Sequence, residues 1–300
     1  MSVSFFKIKK WLNMMIGNSV YHVHQGEGLI YSRKELKGYY NNLTEKVTKF
    51  GLKNNDIPTT VLDSGEEVYF PIAIFQYGLG AYDLYLINND RSMFEKAESC
   101  AKWAVENQEH NGGWKTFTQE SPQHPYSSMA QGEAISLLVR IYKETKVSKY
   151  IESAKRAIDM MLLKVEEGGT AKYNDFKLCL YECTDKPLIL NGWIFSAWGL
   201  LDYFKVTKDK VVLDKYNQTV LTISMMLPEF DIGYWSKYDC KKIISSPFYH
   251  NLHIAQLRVM FKLTNDNNFK LYADKFACYN DSLLNKTVAF CRKAIQKIKE

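Results

Sequence analysis

A repeat of helical segments most constrains how this 300-residue chain can fold. Segments with helical periodicity begin near residues 66, 127, 188 and 247, about 60 residues apart, and a second helical segment follows each of them. Glycine-containing loops close the first three pairs. Such hairpins bury their apolar faces best by curling round one another, with first helices inside and second helices outside. The sequence therefore predicts an all-α fold, an incomplete (α/α) toroid of about four helical hairpins.

The composition of the two kinds of helix agrees with this arrangement. First helices are apolar nearly all round and contain small residues for close packing, such as Gly132 and Gly192. Second helices are amphipathic, with Phe94 and Ala97 on the predicted inward face and Glu95 on the outward face. Loops at one end of the toroid should then line a cleft.

The first 60 residues lack the repeat and show mixed extended and turn patterns. We predict two units: residues 1–60, a short irregular or extended segment that covers one rim, and residues 61–300, the toroid. Residues 5–16 have the pattern of an amphipathic helix, which either packs peripherally or contacts a membrane surface. No apolar run approaches the ~20 residues needed to span a bilayer. Six cysteines without paired spacing favour reduced thiols and a cytoplasmic location, peripheral to the inner face of the membrane if that helix contacts it.

The charge of the chain favours an anionic partner. Its formal net charge is +6, but the lysines are scattered and no nucleic-acid-binding motif occurs, so nucleic acid is a poor candidate. Aromatic residues make up 14% of the chain, and flat rings can stack on sugars while cations meet carboxylates. An acidic polysaccharide is therefore the predicted partner. The sequence leaves a homodimer open.

Three tyrosines lie near the predicted starts of inner helices, where they should share one rim: Tyr181, Tyr238 and Tyr249. A phenol with a pKa of ~10 is a poor base in water, but a nearby cation lowers that value. Tyrosines on opposite faces of one sugar could remove a proton from one side and return it on the other. Removing the C5 proton of a uronic acid also requires a cation beside its carboxylate.

Several motifs give this site a family resemblance. They include "YFPIAIFQYGLGAYDLYL", "GGW", "SSMAQGEAISLLVRIYKET", "LNGWIFSAWGLLDYF", "MLPEFD", "YD" at 238–239 and "YHNLHIAQL". In this order, over roughly residues 60–260, the chain resembles the C-terminal helical domain of the heparosan/heparan D-glucuronyl C5-epimerases.

The resemblance implies a cofactor-independent isomerase that converts D-glucuronate to L-iduronate within a heparosan-like polysaccharide, in a bacterial capsule pathway. It implies catalytic roles for Tyr181, Tyr238 and Tyr249, and a carboxylate-binding role for Lys241. One departure matters: the family commonly has a glutamate immediately before the first tyrosine, where this chain has Leu180. Glu182 follows that tyrosine instead, as an uncertain substitute.

Other polar or aromatic side chains near the same rim are candidate substrate contacts, each with a packing role as its alternative. They are Lys237, His250, His253, Gln131, Glu133, Trp114 and Glu182. The two histidines stand three residues apart without an evident third ligand, so no metal is predicted.

Two other functions remain open. A polysaccharide lyase begins with the same C5 proton abstraction and then expels the 4-O-linked sugar. A catalytically inactive toroid would only bind acidic glycan or scaffold other proteins, and Leu180 favours that reading.

Overall fold

The structure is a computed structural model that describes residues 23–50, 57–62 and 65–299. The amphipathic helix predicted at residues 5–16 lies outside the described residues. No helix in the described ranges is long and apolar enough to cross a membrane.

The described residues form helices with a few very short strands. In chain order the elements are α1 (Thr44–Phe50), β1 (Thr60–Val61), β2 (Glu67–Val68), α2 (Pro71–Asn88), α3 (Arg91–Glu106), α4 (Ser128–Thr145), α5 (Ser148–Leu162), β3 (Ala171–Asn174), β4 (Lys177–Leu180), α6 (Leu190–Thr207), α7 (Lys210–Met226), α8 (Pro247–Thr264), α9 (Asn267–Asp281) and α10 (Leu283–Lys299). Short 3₁₀ turns follow α5 and α7.

Four helical hairpins, α2–α3, α4–α5, α6–α7 and α8–α9, form the toroid. The inner helices α2, α4, α6 and α8 pack against one another in series, and each outer helix packs on the inner helix of its own hairpin. The inner helices are the more deeply buried, as their apolar composition predicts. The predicted all-α, incomplete (α/α) toroid is confirmed.

Each hairpin turns through the same two-residue link. The first residue of the link has a left-handed backbone, with φ between 52° and 62°, at Asn89, Lys146, Lys208 and Asn265. The second residue is the N-cap of the outer helix, and in three hairpins it is an aspartate whose side chain accepts a backbone N–H. The short links all lie at one end of the inner helices. The longer loops that connect successive hairpins therefore gather at the other end, where the inner helices begin.

Residues 23–43 lie at the end of the short links. The backbone N–H of Tyr39 donates to Asp83 at 2.8 Å, and the Arg140 side chain donates to the carbonyl oxygens of Lys37 and Gly38. Both contacts fall near the C-terminal ends of inner helices. This segment therefore covers the rim opposite the long loops.

The structure differs from the predicted elements in three places. The glycine-containing loop after α5 continues into a β-hairpin, in which β3 pairs antiparallel with β4. The inner helix α2 begins at Pro71 rather than near residue 66, because Glu67 and Val68 pair with β1 instead. The second helical segment of the fourth pair is divided at Ser282 into two helices, α9 and α10.

Candidate active site

The loops that carry the candidate tyrosines are fixed to the N-terminal ends of inner helices. The backbone N–H of Ser128, at the start of α4, donates to the carbonyl oxygen of Tyr181 at 3.0 Å. The N–H of Leu190, at the start of α6, donates to the carbonyl oxygen of Tyr238 at 3.3 Å. Tyr249 lies in the first turn of α8. Three hairpins thus bring the predicted tyrosines to one rim.

Glu182, Tyr238 and Tyr249 form a chain of neighbouring polar groups at this rim. The Tyr238 phenol lies close enough to the Glu182 carboxyl and to the Tyr249 phenol for the members of each pair to influence each other's ionisation. The two tyrosine rings stand 4.7 Å apart between centroids, inclined at 59°. Glu182 is buried, whereas both tyrosine rings remain partly exposed. The chain therefore leads from an open face to a buried carboxyl.

Burial sets the ionisation of this chain. It raises the pKa of Glu182 to about 7, against the opposing effect of the neighbouring Tyr238 hydroxyl. Burial, followed by the charge of Glu182, also raises the pKa values of the Tyr238 and Tyr249 phenols above their ordinary value. Near neutral pH both phenols therefore keep their protons, and the carboxyl of Glu182 is the group that titrates.

Gly192 makes room for this carboxyl. A Cβ at position 192, in the first turn of α6, would overlap the Oε2 atom of Glu182. The same Oε2 atom is buried and has no hydrogen-bond partner among the described residues. An unpartnered carboxylate oxygen in a buried position is an available proton acceptor.

Tyr181 has a different environment from the other two tyrosines. Burial raises the pKa of its phenol to about 12. The Lys172 ammonium, on β3, stands 4.8 Å from the centroid of its ring. Sequence reasoning missed Lys172, since the β3–β4 hairpin that brings it here was predicted as a loop.

The structure shows which residue provides a carboxylate at this site, where the family's usual glutamate is replaced by Leu180. Leu180 is fully buried at the end of β4, as part of the hydrophobic core. Glu182, the substitute that the sequence offered, is the residue whose carboxyl lies beside Tyr238. The sequence signal for Glu182 was the position of its carboxylate next to Tyr181, a predicted catalytic tyrosine.

His250 and His253 lie inside the protein and bind the loop before α8. The Ser236 hydroxyl is hydrogen bonded to Nδ1 of His250 at 2.8 Å and to Nδ1 of His253 at 3.0 Å. The His250 ring also stacks on Trp235, with centroids 3.6 Å apart. Burial lowers the pKa of each histidine to about 3. The histidines are therefore neutral near pH 7 and do not supply a cation to a substrate carboxylate.

Three further candidates are buried among other residues. Trp114 is 1% exposed and its indole N–H donates to the carbonyl oxygen of Ala104, so its ring is not available to stack on a sugar. Gln131 donates to the carbonyl oxygen of Gly112 at 2.9 Å. Glu133 accepts a hydrogen bond from Gln76 at 2.8 Å. Contact with a substrate requires an exposed side chain. The structure therefore favours a packing role for all three residues, the alternative given for them above.

Lys237 and Lys241 line a surface cavity whose lining residues do not include the three tyrosines. Lys241 is exposed, and its backbone N–H donates to Asp239 at 3.0 Å. The lysines thus stand beside the tyrosine cluster, on the loop that carries Tyr238.

The fold and the rim together define a class of protein: a helical toroid with a carboxyl–phenol chain where its inner helices begin. Residues 102–278 match the family described as D-glucuronyl C5-epimerase C-terminus. This match covers more than half of the chain, and the chain belongs to that family. The matched range includes Tyr181, Glu182, Tyr238 and Tyr249.

The matches to individual relatives span only part of this chain and only part of each relative. The chain is 25% identical over 210 residues to D-glucuronyl C5-epimerase of Caenorhabditis elegans, across 60% of this chain and 34% of the worm protein. It is 26% identical over 155 residues to an uncharacterized protein of Methanocaldococcus jannaschii, across 50% of each. The chain therefore spans about a third to a half of the length of the curated relatives it matches.

A solved structure shares the fold. The sugar epimerase from a ruminal bacterium superposes with a TM-score of 0.51 over 90% of this chain and 82% of its own, at 12% identity. At this identity the likeness concerns the fold alone.

Proposed function

We propose that this protein is a C5-epimerase that converts D-glucuronate to L-iduronate within a heparosan-like polysaccharide, without a cofactor. The observation that carries the proposal is the chain of Glu182, Tyr238 and Tyr249, with Tyr181 and Lys172 on the neighbouring loop. The name of the worm relative supports glucuronate as the substrate. The net charge of +6 supports an acidic polymer.

Glu182 is the proposed final acceptor of the C5 proton. Because both phenols of the chain have raised pKa values, phenolate is scarce near neutral pH. The Glu182 carboxylate, with a pKa of about 7, is a base matched to that pH. In the proposed step the Tyr249 oxygen takes the proton from C5 while its own proton passes to Tyr238. The Tyr238 proton passes to Glu182, so each hydroxyl ends the step as a phenol.

Tyr181 is the proposed donor to the opposite face of the sugar. Tyr238 and Tyr249 do not take opposite faces of one sugar in this proposal, because their rings stand 4.7 Å apart between centroids and leave no space for a sugar between them. A donor on the other face must come from elsewhere, and Tyr181 is the remaining tyrosine of the rim. Donation of its proton to C5 completes the inversion. The resulting Tyr181 phenolate regains a proton from water and Glu182 releases its proton to water, which restores both groups.

A cation must stabilise the negative charge that gathers on the substrate carboxylate. Lys172 is the proposed cation, since its ammonium lies 4.8 Å from the Tyr181 ring and so beside the proposed donor. Lys241, the residue suggested by the family resemblance, lines the separate cavity.

The test is incubation with heparosan in D₂O, followed by NMR at the uronate C5 position and absorbance of unsaturated uronate. We expect deuterium at C5 and new iduronate signals without a rise in absorbance. Tyr249→Phe should lower the exchange rate by about 100-fold or more, the usual contribution of a positioned acid–base group. Tyr85→Phe, on α2 outside the site, is the matched control and should exchange as the wild type does.

Two results would contradict this function. Rising absorbance with chain shortening would identify a lyase. Polymer binding without exchange or absorbance would identify an inactive glycan-binding toroid.

A further inference from the structure

A cavity of about 340 Å³ lies beside the candidate active site, between the loop that carries Tyr238 and the C-terminal helix α10. The loop contributes three lysines, and α10 contributes one arginine. The lining residues are Ile232, Lys237, Lys241, Lys242, Ile244, Arg292 and Gln296.

The charge of this basic cavity is not neutralised within the described part of the chain. None of its four cations forms an ion pair with a carboxylate there. The carboxylates nearest in sequence are engaged elsewhere. Asp231 pairs with Lys275 at 2.5 Å, and Asp239 accepts three backbone N–H groups of its own loop. Four cations around one concavity repel one another, and an anionic ligand would relieve that repulsion.

The cavity is held in shape by contacts that do not use its charges. Gln296 accepts the backbone N–H of Ile244 at 3.1 Å and donates to the carbonyl oxygen of Lys242 at 2.9 Å. Ala289 packs against Trp235 and Ile244 in a small apolar cluster. The helix α10 thus fixes the lysine loop, and it lies beyond residue 278, where the family match ends.

We propose that the basic cavity is an accessory subsite for an anionic stretch of the polysaccharide, outside the reacting sugar. The proposal rests on the function proposed above. Lys237 and Lys241 flank Tyr238 in the chain, so a polymer with its reacting sugar at the tyrosines passes close to this cavity. The cations meet its carboxylates, and the partly exposed side chain of Ile232 meets the C–H faces of its sugars.

The shape of the site favours a polymer over a membrane. α10 also exposes apolar residues, among them Leu284 and Val288, which a lipid surface could cover. The cations, however, line a concavity next to the tyrosine loop, and a single extended chain can enter a concavity that a flat bilayer surface cannot. The membrane is therefore an outcome to be tested.

The test measures the affinity of the whole protein for heparosan at low and high salt. Each exposed charge contact is worth about 0.2–1 kcal/mol, so Lys242→Ala and Arg292→Ala should each weaken binding by a factor of roughly 1.4 to 5. The double variant should combine both losses and show a shallower dependence on salt. Lys242→Arg and Arg292→Lys should retain affinity. Lys210→Ala, which removes an exposed lysine at the start of α7, is the matched control.

Further measurements decide the ligand. Carboxyl-reduced heparosan should bind the wild type weakly and the double variant equally weakly. The inference is overturned if the double variant binds heparosan as the wild type does. It is also overturned if that variant loses only binding to vesicles of phosphatidylserine and phosphatidylcholine. C5 exchange is a separate readout. Charge-dependent binding without exchange would support the subsite and reject the proposed reaction. Exchange by the wild type, with equal heparosan binding by the wild type and the double variant, would support the reaction and reject the subsite.

Discussion

Glu182 is the residue whose ionisation should govern the rate of the proposed reaction. Because the base must be ionised, kcat/KM for C5 deuterium exchange should rise with pH through about 7, the pKa that burial gives this carboxyl, and then level off. Glu182→Gln should remove that rise and lower the rate by roughly 100-fold or more, since its amide cannot accept the proton. Exchange rates between pH 5 and 9 provide the measurement.

Two variants separate this carboxyl from other titrating groups. Gly192→Ala keeps Glu182 but places a methyl group where its carboxylate lies, so exchange should fall although no ionisable group is lost. Asp83 also has a pKa raised by burial to about 7, but it lies at the opposite rim, so Asp83→Asn should retain the rise. A rise near pH 7 that persists in Glu182→Gln would assign it to another group.

At the scale of single residues, the sequence predicted which loops come together at the rim. It predicted the contacts of the individual side chains on those loops less well. Tyr181, Tyr238 and Tyr249 could be placed at one rim because each precedes or begins an inner helix. The orientation of Glu182 and the approach of Lys172 depend on a four-residue strand pair whose pattern is too short to separate from a loop.

At the scale of helices, the spacing of α4 and α6 depends on glycine. A Cβ at Gly132 would lie 2.6 Å from the carbonyl oxygen of Phe195, and one at Gly199 would lie 2.6 Å from the Cα of Gly132. Gly132→Ala should therefore lower the free energy of unfolding by about 1–3 kcal/mol through overpacking, despite the better helix propensity of alanine. Urea denaturation followed by circular dichroism measures this change.

The comparison for that substitution is Glu152→Ala, at an exposed position on the outer helix α5. It should change the free energy of unfolding by no more than about 0.5 kcal/mol. If Gly132→Ala were as mild, the two inner helices would have freedom to separate, and their close approach would not limit the packing of the toroid.

The hairpins were predictable because their pattern of apolar and amphipathic helices is repeated. Elements that occur only once were not predictable. The pairing of an apolar helix with an amphipathic one occurs four times at a regular spacing, so each occurrence strengthens the prediction of the others. The break at Ser282 has no such support, since helical periodicity continues on both sides of it. The basic cavity that α10 completes was consequently absent from the sequence prediction.

At the scale of the whole molecule, residues 23–43 and the toroid share one buried polar network. The Arg140 guanidinium pairs with Asp202 at 2.5 Å, and the Tyr40 hydroxyl donates to the same carboxylate at 2.6 Å. Lys205 in turn donates to the Tyr40 hydroxyl at 2.9 Å. Burial lowers the pKa of Lys205 to about 8. The network ties inner helices α4 and α6 to the N-terminal segment, so the segment is expected to unfold together with the toroid.

Asp202→Asn tests that coupling, because it leaves the fully buried Arg140 without its anionic partner. Breaking a buried ion pair on one side should cost about 3–5 kcal/mol of unfolding free energy in urea denaturation. Asp159→Asn, which breaks the exposed Lys155–Asp159 pair, should cost less than about 1 kcal/mol. The double variant Arg140→Met/Asp202→Leu should cost less than the sum of its single changes, since no lone charge is left inside. Equal costs for Asp202→Asn and Asp159→Asn would mean that water reaches Arg140, and that the N-terminal segment opens independently of the toroid.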